Sequence, residues 1–169
     1  MSDASRYRAL EDVPWAAWQG TKHATLCFVI RGGEVLLIHK KRGLGAGKIN
    51  GPGGHVEAGE TPEDCAVREV QEELGVTPKG VRYAGELRFQ FTDGLALHGY
   101  VYRADDCIGT AHETDEAIPC WTPLDQVPFE RMWADDVLWF PHLLSRRIFS
   151  GRFLFDGDTM LGHAIELSS

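Results

Sequence analysis

Three carboxylates stand close together in the run Arg68-Glu69-Val70-Gln71-Glu72-Glu73-Leu74-Gly75. On a helix, Glu69, Glu72 and Glu73 fall at i, i+3 and i+4, positions that share one face. Like charges at that spacing repel and cost stability unless a cation sits among them. An all-oxygen cluster of this kind suits Mg²⁺, with Mn²⁺ as a substitute, because both ions keep part of their water shell and bind substrate phosphates. Taken alone, the same spacing also describes a solvated acidic helix face. The elements around it decide between the two.

Those elements are well punctuated. Thr61 can cap the helix, Pro62 suits its first turn, Glu63 and Asp64 complement the dipole, and Gly75 supplies a C-terminal stop. Ala66, Val67, Val70 and Leu74 form the apolar side that packs it on a sheet. Aliphatic runs at 24–30 and 35–38 flank Arg31-Gly32-Gly33-Glu34, a hairpin turn, and residues 81–91 and 95–103 alternate as an antiparallel pair. Residues 120–121 read as a short strand, and 153–155 with 161–167 as a closing hairpin. The apolar spacing predicts a second helix from Asp136 to about Phe149, with Pro141 kinking it or lying in its first turns. The glycine-dense run 43–54 is neither a dinucleotide fingerprint nor a P-loop, but leaves backbone bare for close ligand approach. Together these predict an α/β domain over 21–169, a mixed sheet with helices on its faces, preceded by an arm over 1–20. Trp15 and Trp18 anchor that arm on the domain; a lid or a dimer contact is the alternative.

Composition narrows the partners. The 169 residues carry a formal net charge of -8, which opposes a sequence-independent grip on nucleic acid. A small anionic ligand is still admissible if a bound cation reverses the local field. Cys27, Cys65, Cys107 and Cys120 lack metal or redox spacing and read as reduced thiols of a cytoplasmic protein. No apolar run is long enough to cross a bilayer and no secretory signal is visible.

The wider frame is more specific. Gly54, Glu60 after five residues, Arg68-Glu69-Val70 after seven more, then Glu72-Glu73-Leu74-Gly75-Val76 make up a 23-residue pattern. It resembles the Nudix box, G-x5-E-x7-R-E-U-x-E-E-x-G-U with U aliphatic, at every defined position. The resemblance implies a Nudix fold, an α/β/α sandwich around a mixed β-sheet, and hydrolysis of a nucleoside diphosphate linked to another group. It implies that Glu69, Glu72, Glu73 and the Gly53 carbonyl ligate metal and that Arg68 orients a glutamate. Glu60 would brace the loop, with Gly54 and Gly75 as structural glycines, and Glu72 would be the general base.

The resemblance extends over most of 24–160, to oxidised-purine nucleoside triphosphatases of the MutT kind. It is carried by the loop 40–51, by Pro119-Cys120-Trp121, by 124–129 and by Met132-Trp133-Ala134-Asp135-Asp136. Those enzymes convert 8-oxo-dGTP, and in some cases 2-oxo-dATP, to the monophosphate and pyrophosphate. By that likeness Thr25, Lys40, Asn50, Gly53, Gly54, Phe89, Trp133, Asp135, Asp136 and Trp139 contact substrate, and Glu116 is an additional metal-site acid. The residue types suit the role. Asn50 offers a donor and an acceptor, Trp133 a stacking wall, and two adjacent carboxyls can hold one proton between them. Asp135 and Asp136 also fit a plain helix cap, and Lys40-Lys41-Arg42 fits either a phosphate-attracting cluster or a solvated strand end. Leu44, Ile49 and Pro52 stand where the mammalian enzyme of that group has aromatics, Ala117 and His98 where it has methionines, and His55 where it has lysine.

The expected partner is a small nucleotide, with no direct nucleic-acid binding, no membrane, and a monomer or homodimer as the assembly. The same chemistry on ADP-ribose, a dinucleoside polyphosphate or capped RNA is the nearest alternative, and a non-catalytic nucleotide sensor a more distant one.

Overall fold

Alternate residues of the first long strand serve two different cores. Phe28 and Ile30 point to one face of the sheet, Cys27 and Val29 to the other, and all four are buried. The next strand repeats the division, with Val35 and Leu37 on the first face and Leu36 and Ile38 on the second. Such two-sided burial requires cover on both faces.

The computed structural model describes residues 3–168. In chain order the elements are β1 (Lys22–Arg31), β2 (Glu34–Lys40), β3 (Ile49–Asn50), β4 (Gly53–His55), α1 (Pro62–Leu74), β5 (Thr77–Lys79), β6 (Arg82–Phe91), β7 (Ala96–Ala104), β8 (Asp106–Ile108), β9 (Ala117–Pro123), α2 (Asp136–Leu144), β10 (Phe149–Asp156) and β11 (Thr159–Leu167). The main sheet runs β11-β10-β6-β7-β1-β2-β3, with β4 added to β1 and β9 to β2. It is mixed: β1 lies parallel to β7 and β6 parallel to β10, while the other pairs are antiparallel. α1 packs its buried Cys65, Ala66, Val70 and Leu74 on one face, and α2 packs Trp139, Phe140 and Leu143 on the other. The α/β/α sandwich expected from the sequence is the architecture found.

A gap in the sheet makes room for a ligand. β1 and β2 pair only at Ile30–Val35 and Arg31–Glu34, beside their turn. Beyond it they diverge, β1 taking β4 at residues 24–26 and β2 taking β3 and β9. A cavity of about 160 Å³ opens in that wedge.

Several sequence expectations change in detail. The second helix stops at Leu144 rather than near Phe149, because Phe149 begins a strand hydrogen-bonded in parallel to β6. Arg103 donates to the freed carbonyls of Leu143 and Leu144, and Arg146 takes a left-handed φ of 60° in the turn that follows. Pro141 lies well inside α2 rather than in its first turn. The strand at 120–121 runs from Ala117 to Pro123, and the small β5–β8 sheet has no strong pattern behind it in the sequence.

The arm packs through more than its two indoles. Tyr7 and Val13 pack with Leu154, Leu10, Trp15 and Trp18 join them, and the Trp18 indole donates to Gln90 Oε1 at 2.9 Å. Leu154 and Gln90 alternate with Phe153, Phe155, Phe89 and Phe91, so the arm covers the face of the sheet away from the cavity. The lid alternative does not match this placement.

Gly75 ends α1 with a φ of 76°, and a Cβ there would come within 2.0 Å of the His112 ring. Gly75→Ala should therefore destabilise the domain by about 1 kcal/mol or more, a fall of roughly 2–4 °C in Tm. An unchanged melting curve would show that this left-handed cap is dispensable.

Candidate active site

α1 begins as the sequence requires, with the Thr61 hydroxyl accepting from Asp64 N at 3.1 Å and Pro62 in its first turn. Two turns later Arg68 becomes the centre of an ion-pair network. Its guanidinium donates through Nε to Glu60 Oε2 at 2.6 Å and through a terminal nitrogen to Glu60 Oε1 at 3.0 Å, a bidentate pair. Its other terminal nitrogen donates to Glu69 at 2.9 Å and to Glu72 at 3.1 Å, and the His55 carbonyl accepts at 3.2 Å. Hydrogen bonding to Arg68 holds the Glu60 carboxyl down to about 2, and the same contacts raise Arg68. Glu60 also accepts from Glu57 N, so the loop before the helix is tied to it.

The three glutamates of α1 differ in exposure. Glu73 is buried, the Glu69 side chain is 13% exposed and that of Glu72 is 53% exposed. Burial pushes the Glu73 carboxyl up to about 8, with the Gly53 N–H bond at 2.7 Å opposing it and the charges of Glu69 and Glu116 adding to it. Burial also raises Glu69, against the pull of Arg68. Glu116 pairs with Arg42 at 3.4 Å, yet its charge reaches both Glu69 and Glu73, so four acids share one field. No three ligating side chains among the described residues converge on one point as they stand, since Arg68 holds two of the carboxylates. The donor set nevertheless fits a hard divalent cation: oxygens alone, crowded, and raised by burial without enough positive charge to balance them.

The glycines of β4 are required by contact. A Cβ on Gly53 would lie 1.8 Å from the Thr25 carbonyl oxygen, and one on Gly54 would lie 2.3 Å from the Glu69 carboxyl carbon. Bare backbone here lets the strand sit against β1 on one side and the Glu69 carboxylate on the other.

From Glu73 the cavity runs past Thr25, Lys40, Gly53, Gly54 and His55 to Asn50, Phe89, Trp133, Asp135 and Asp136. Nine of the ten proposed substrate contacts therefore line one space. Trp139 is the exception: it is fully buried beneath the cavity, and its indole donates to Asp135 Oδ2 at 2.7 Å. Asp135 Oδ1 is buried and, beside the neighbouring Asp136 carboxyl, has no hydrogen-bond partner among the described residues. Burial raises Asp135 to about 6, partly offset by Trp139, and raises Asp136 well above the ordinary carboxylate range, with the negative charge of Asp135 adding to it. Asp135 is not a simple cap, because its side chain makes no bond to the first turn of α2. Asn50 donates to the Lys48 and Gly45 carbonyls at 3.1 and 3.4 Å. Lys40 turns to Leu44 O and the cavity, whereas Lys41 and Arg42 pair with Glu113 and Glu116, so the basic cluster divides.

Sequence reasoning missed Leu87, Phe91, Leu97 and Gly99 as cavity lining. The alternation 87, 89, 91 on β6 carried that signal, since Phe89 was already assigned to the site.

The NUDIX domain profile matches residues 20–143. The chain is 44% identical over 150 residues to an oxidized purine nucleoside triphosphate hydrolase of Danio rerio, covering 86% of this chain and 95% of that protein. It is 43% identical to the protein of the same name from Mus musculus, covering 83% and 92% respectively. A solved MutT protein from Bacillus halodurans superposes with a TM-score of 0.77 at 29% identity, over 86% of this chain and 97% of that one. With the complete Gly54-to-Val76 box on its loop and helix, the chain belongs to the Nudix family of divalent-metal-using hydrolases.

Proposed function

We propose that this Nudix hydrolase cleaves oxidised purine nucleoside triphosphates, 8-oxo-dGTP foremost and 2-oxo-dATP beside it, to the monophosphate and pyrophosphate. The observation that carries the reading is the buried Asp135–Asp136 pair, which opens on the same cavity as Glu73 and Asn50. Oxidation at C8 turns the N7 edge of guanine from an acceptor into a donor. A carboxyl pair holding a single proton offers one acceptor and one donor, and moving that proton lets it meet either oxidised base. Trp133 stacks on the base, Phe89 lines the floor, and Asn50 reads an edge. The names of the animal relatives support the same substrate class.

At the other end, Glu69, Glu72, Glu73, Glu116 and the Gly53 carbonyl would hold Mg²⁺, or Mn²⁺ in its place. Bound there, the cation would polarise phosphoryl oxygens and lower the pKa of a coordinated water. Arg68 orients Glu69 and Glu72 from within the helix, and Glu60 fixes Arg68. Lys40 faces the phosphate path. Glu72, the most exposed of the three, takes the proton of the attacking water at its carboxylate. Four free thiols suit a cytoplasmic setting.

A nucleotide panel with Mg²⁺, reading both products, tests the assignment: faster release of pyrophosphate from 8-oxo-dGTP than from dGTP is expected. Equal rates on the two, or strong turnover of ADP-ribose, a dinucleoside polyphosphate or capped RNA instead, would remove the oxidised-purine assignment. Glu72→Gln should lower kcat by about 100-fold or more while nucleotide binding changes far less. Near-normal turnover would take Glu72 out of the chemistry.

The shared proton has a consequence for stability. Because both aspartates are raised above 3.8 in the fold, the native state binds more protons than the unfolded chain as pH climbs. Their contribution is therefore present at low pH and is lost as pH rises through about 6 and beyond. Asp136→Asn should raise Tm relative to the parent more at about pH 8 than at about pH 5. The same Tm difference at both values would mean that the pair does not hold a proton at neutral pH.

A further inference from the structure

One residue touches both walls of the cavity. Lys48 closes the loop between β2 and β3, and its carbonyl accepts from the Asn50 side chain at 3.1 Å. Its ammonium nitrogen lies 5.2 Å from the centre of the Trp133 ring and 3.3 Å from Asp158 Oδ2. Asp158 belongs to the turn joining β10 to β11, where Gly157 adopts a φ of 61°. The same loop presses on the indole directly, since a Cβ on Gly45 would come within 2.8 Å of Trp133 Nε1. From the core side the indole meets the edges of Phe91 and Phe155, at 6.1 and 5.6 Å. Core packing thus bounds Trp133 below, and the loop and the Lys48–Asp158 pair bound it above.

We propose that Lys48, anchored by Asp158, is a positioning residue that fixes the Trp133 indole relative to Asn50 and so sets selectivity for the base. This rests on reading the cavity as the base pocket. An exposed ion pair alone is worth little, and the Asp158 side chain is 68% exposed. The Lys48 side chain is only 27% exposed, and its charge meets the ring as well as the carboxylate. Its effect therefore falls on the placement of the wall more than on the stability of the domain. An amine acting instead on the triphosphate would need no Asp158, and this separates the two roles.

The test compares Lys48→Met, Asp158→Asn, the double variant, Lys48→Arg and Trp133→Ala, on 8-oxo-dGTP and dGTP with Mg²⁺. Lys48→Met and Asp158→Asn are each expected to raise KM for 8-oxo-dGTP about 3- to 10-fold with kcat within about twofold. The ratio of kcat/KM for 8-oxo-dGTP over dGTP should fall with them. The double variant should be no worse than Lys48→Met, and Lys48→Arg should restore the parent values. A change in Lys48→Met with none in Asp158→Asn would assign Lys48 to the phosphates and overturn the proposal. So would a shift in Tm with KM and the selectivity ratio unmoved. If both variants behave as the parent while Trp133→Ala raises KM, the latch fails and the base pocket stands. If Trp133→Ala also leaves KM and selectivity unchanged, the reading of the pocket fails as well.

Discussion

The guanidinium of Arg68 holds the glutamate end of the cavity in register. Glu60 meets it as a fork, Glu69 and Glu72 share its far side, and the His55 carbonyl closes the ring. One cation thereby ties the loop before α1 to the helix and aims two of the carboxylates on its face. The side chain of Arg68 is 24% exposed and that of Glu60 is 14% exposed, so this pair is screened less than a surface ion pair. A lysine could not take the place of Arg68, since an ammonium presents no planar fork to Glu60 while also reaching two further acids. The spacing of the box follows from this geometry, because Glu60 must lie on the loop and the acids one residue and one turn beyond Arg68.

What that network positions, the sheet has to accommodate. β1 and β2 separate after two residue pairs, and the wedge between them becomes the cavity. Gly53 and Gly54 line it because nothing with a side chain fits between the Thr25 carbonyl and the Glu69 carboxylate. Glu73 then fills the position beneath, bonded to the Gly53 amide and buried enough to be raised to about 8. Two short strands and a glycine loop, the least regular elements around the cavity, thus line it together with the long strands β1, β6 and β7. Regular pairing would have closed it.

How much of this was legible in the sequence depended on how local the cause was. α1 was readable from Thr61 to Gly75 because cap, proline, dipole acids and left-handed stop all act within a turn. The Asp135–Asp136 pair and Asn50 are legible as candidates only through the wider resemblance, since Trp139 holds Asp135 from within the fold and the cavity that joins the pair to Asn50 is assembled from distant segments. The end of α2 was misjudged because its apolar spacing continues to Phe149, while a parallel partner distant in sequence claims that residue. The resemblance puts Trp139 in the pocket, whereas it supports the pocket from below, a distinction set by which face of α2 meets the sheet. Lys48 and Asp158 lie 110 positions apart, and no local pattern connects them.

Both ends of the cavity bury carboxyl groups in a chain of net charge -8, and both must be neutralised before an anionic nucleotide can enter. The two ends differ in what can reach them. Around α1 the acids are spread over a helix, a strand end and a loop, with Glu72 open to solvent, so a hydrated cation has access and room for several oxygens. Around α2 the aspartates are adjacent and buried against Trp139, facing the cavity but too enclosed to hold a cation in its water shell. On the proposed reading, that single difference in access divides the labour. Where a metal can enter, raised carboxylates become ligands for phosphate chemistry. Where it cannot, they keep a proton and become the group that reads the base.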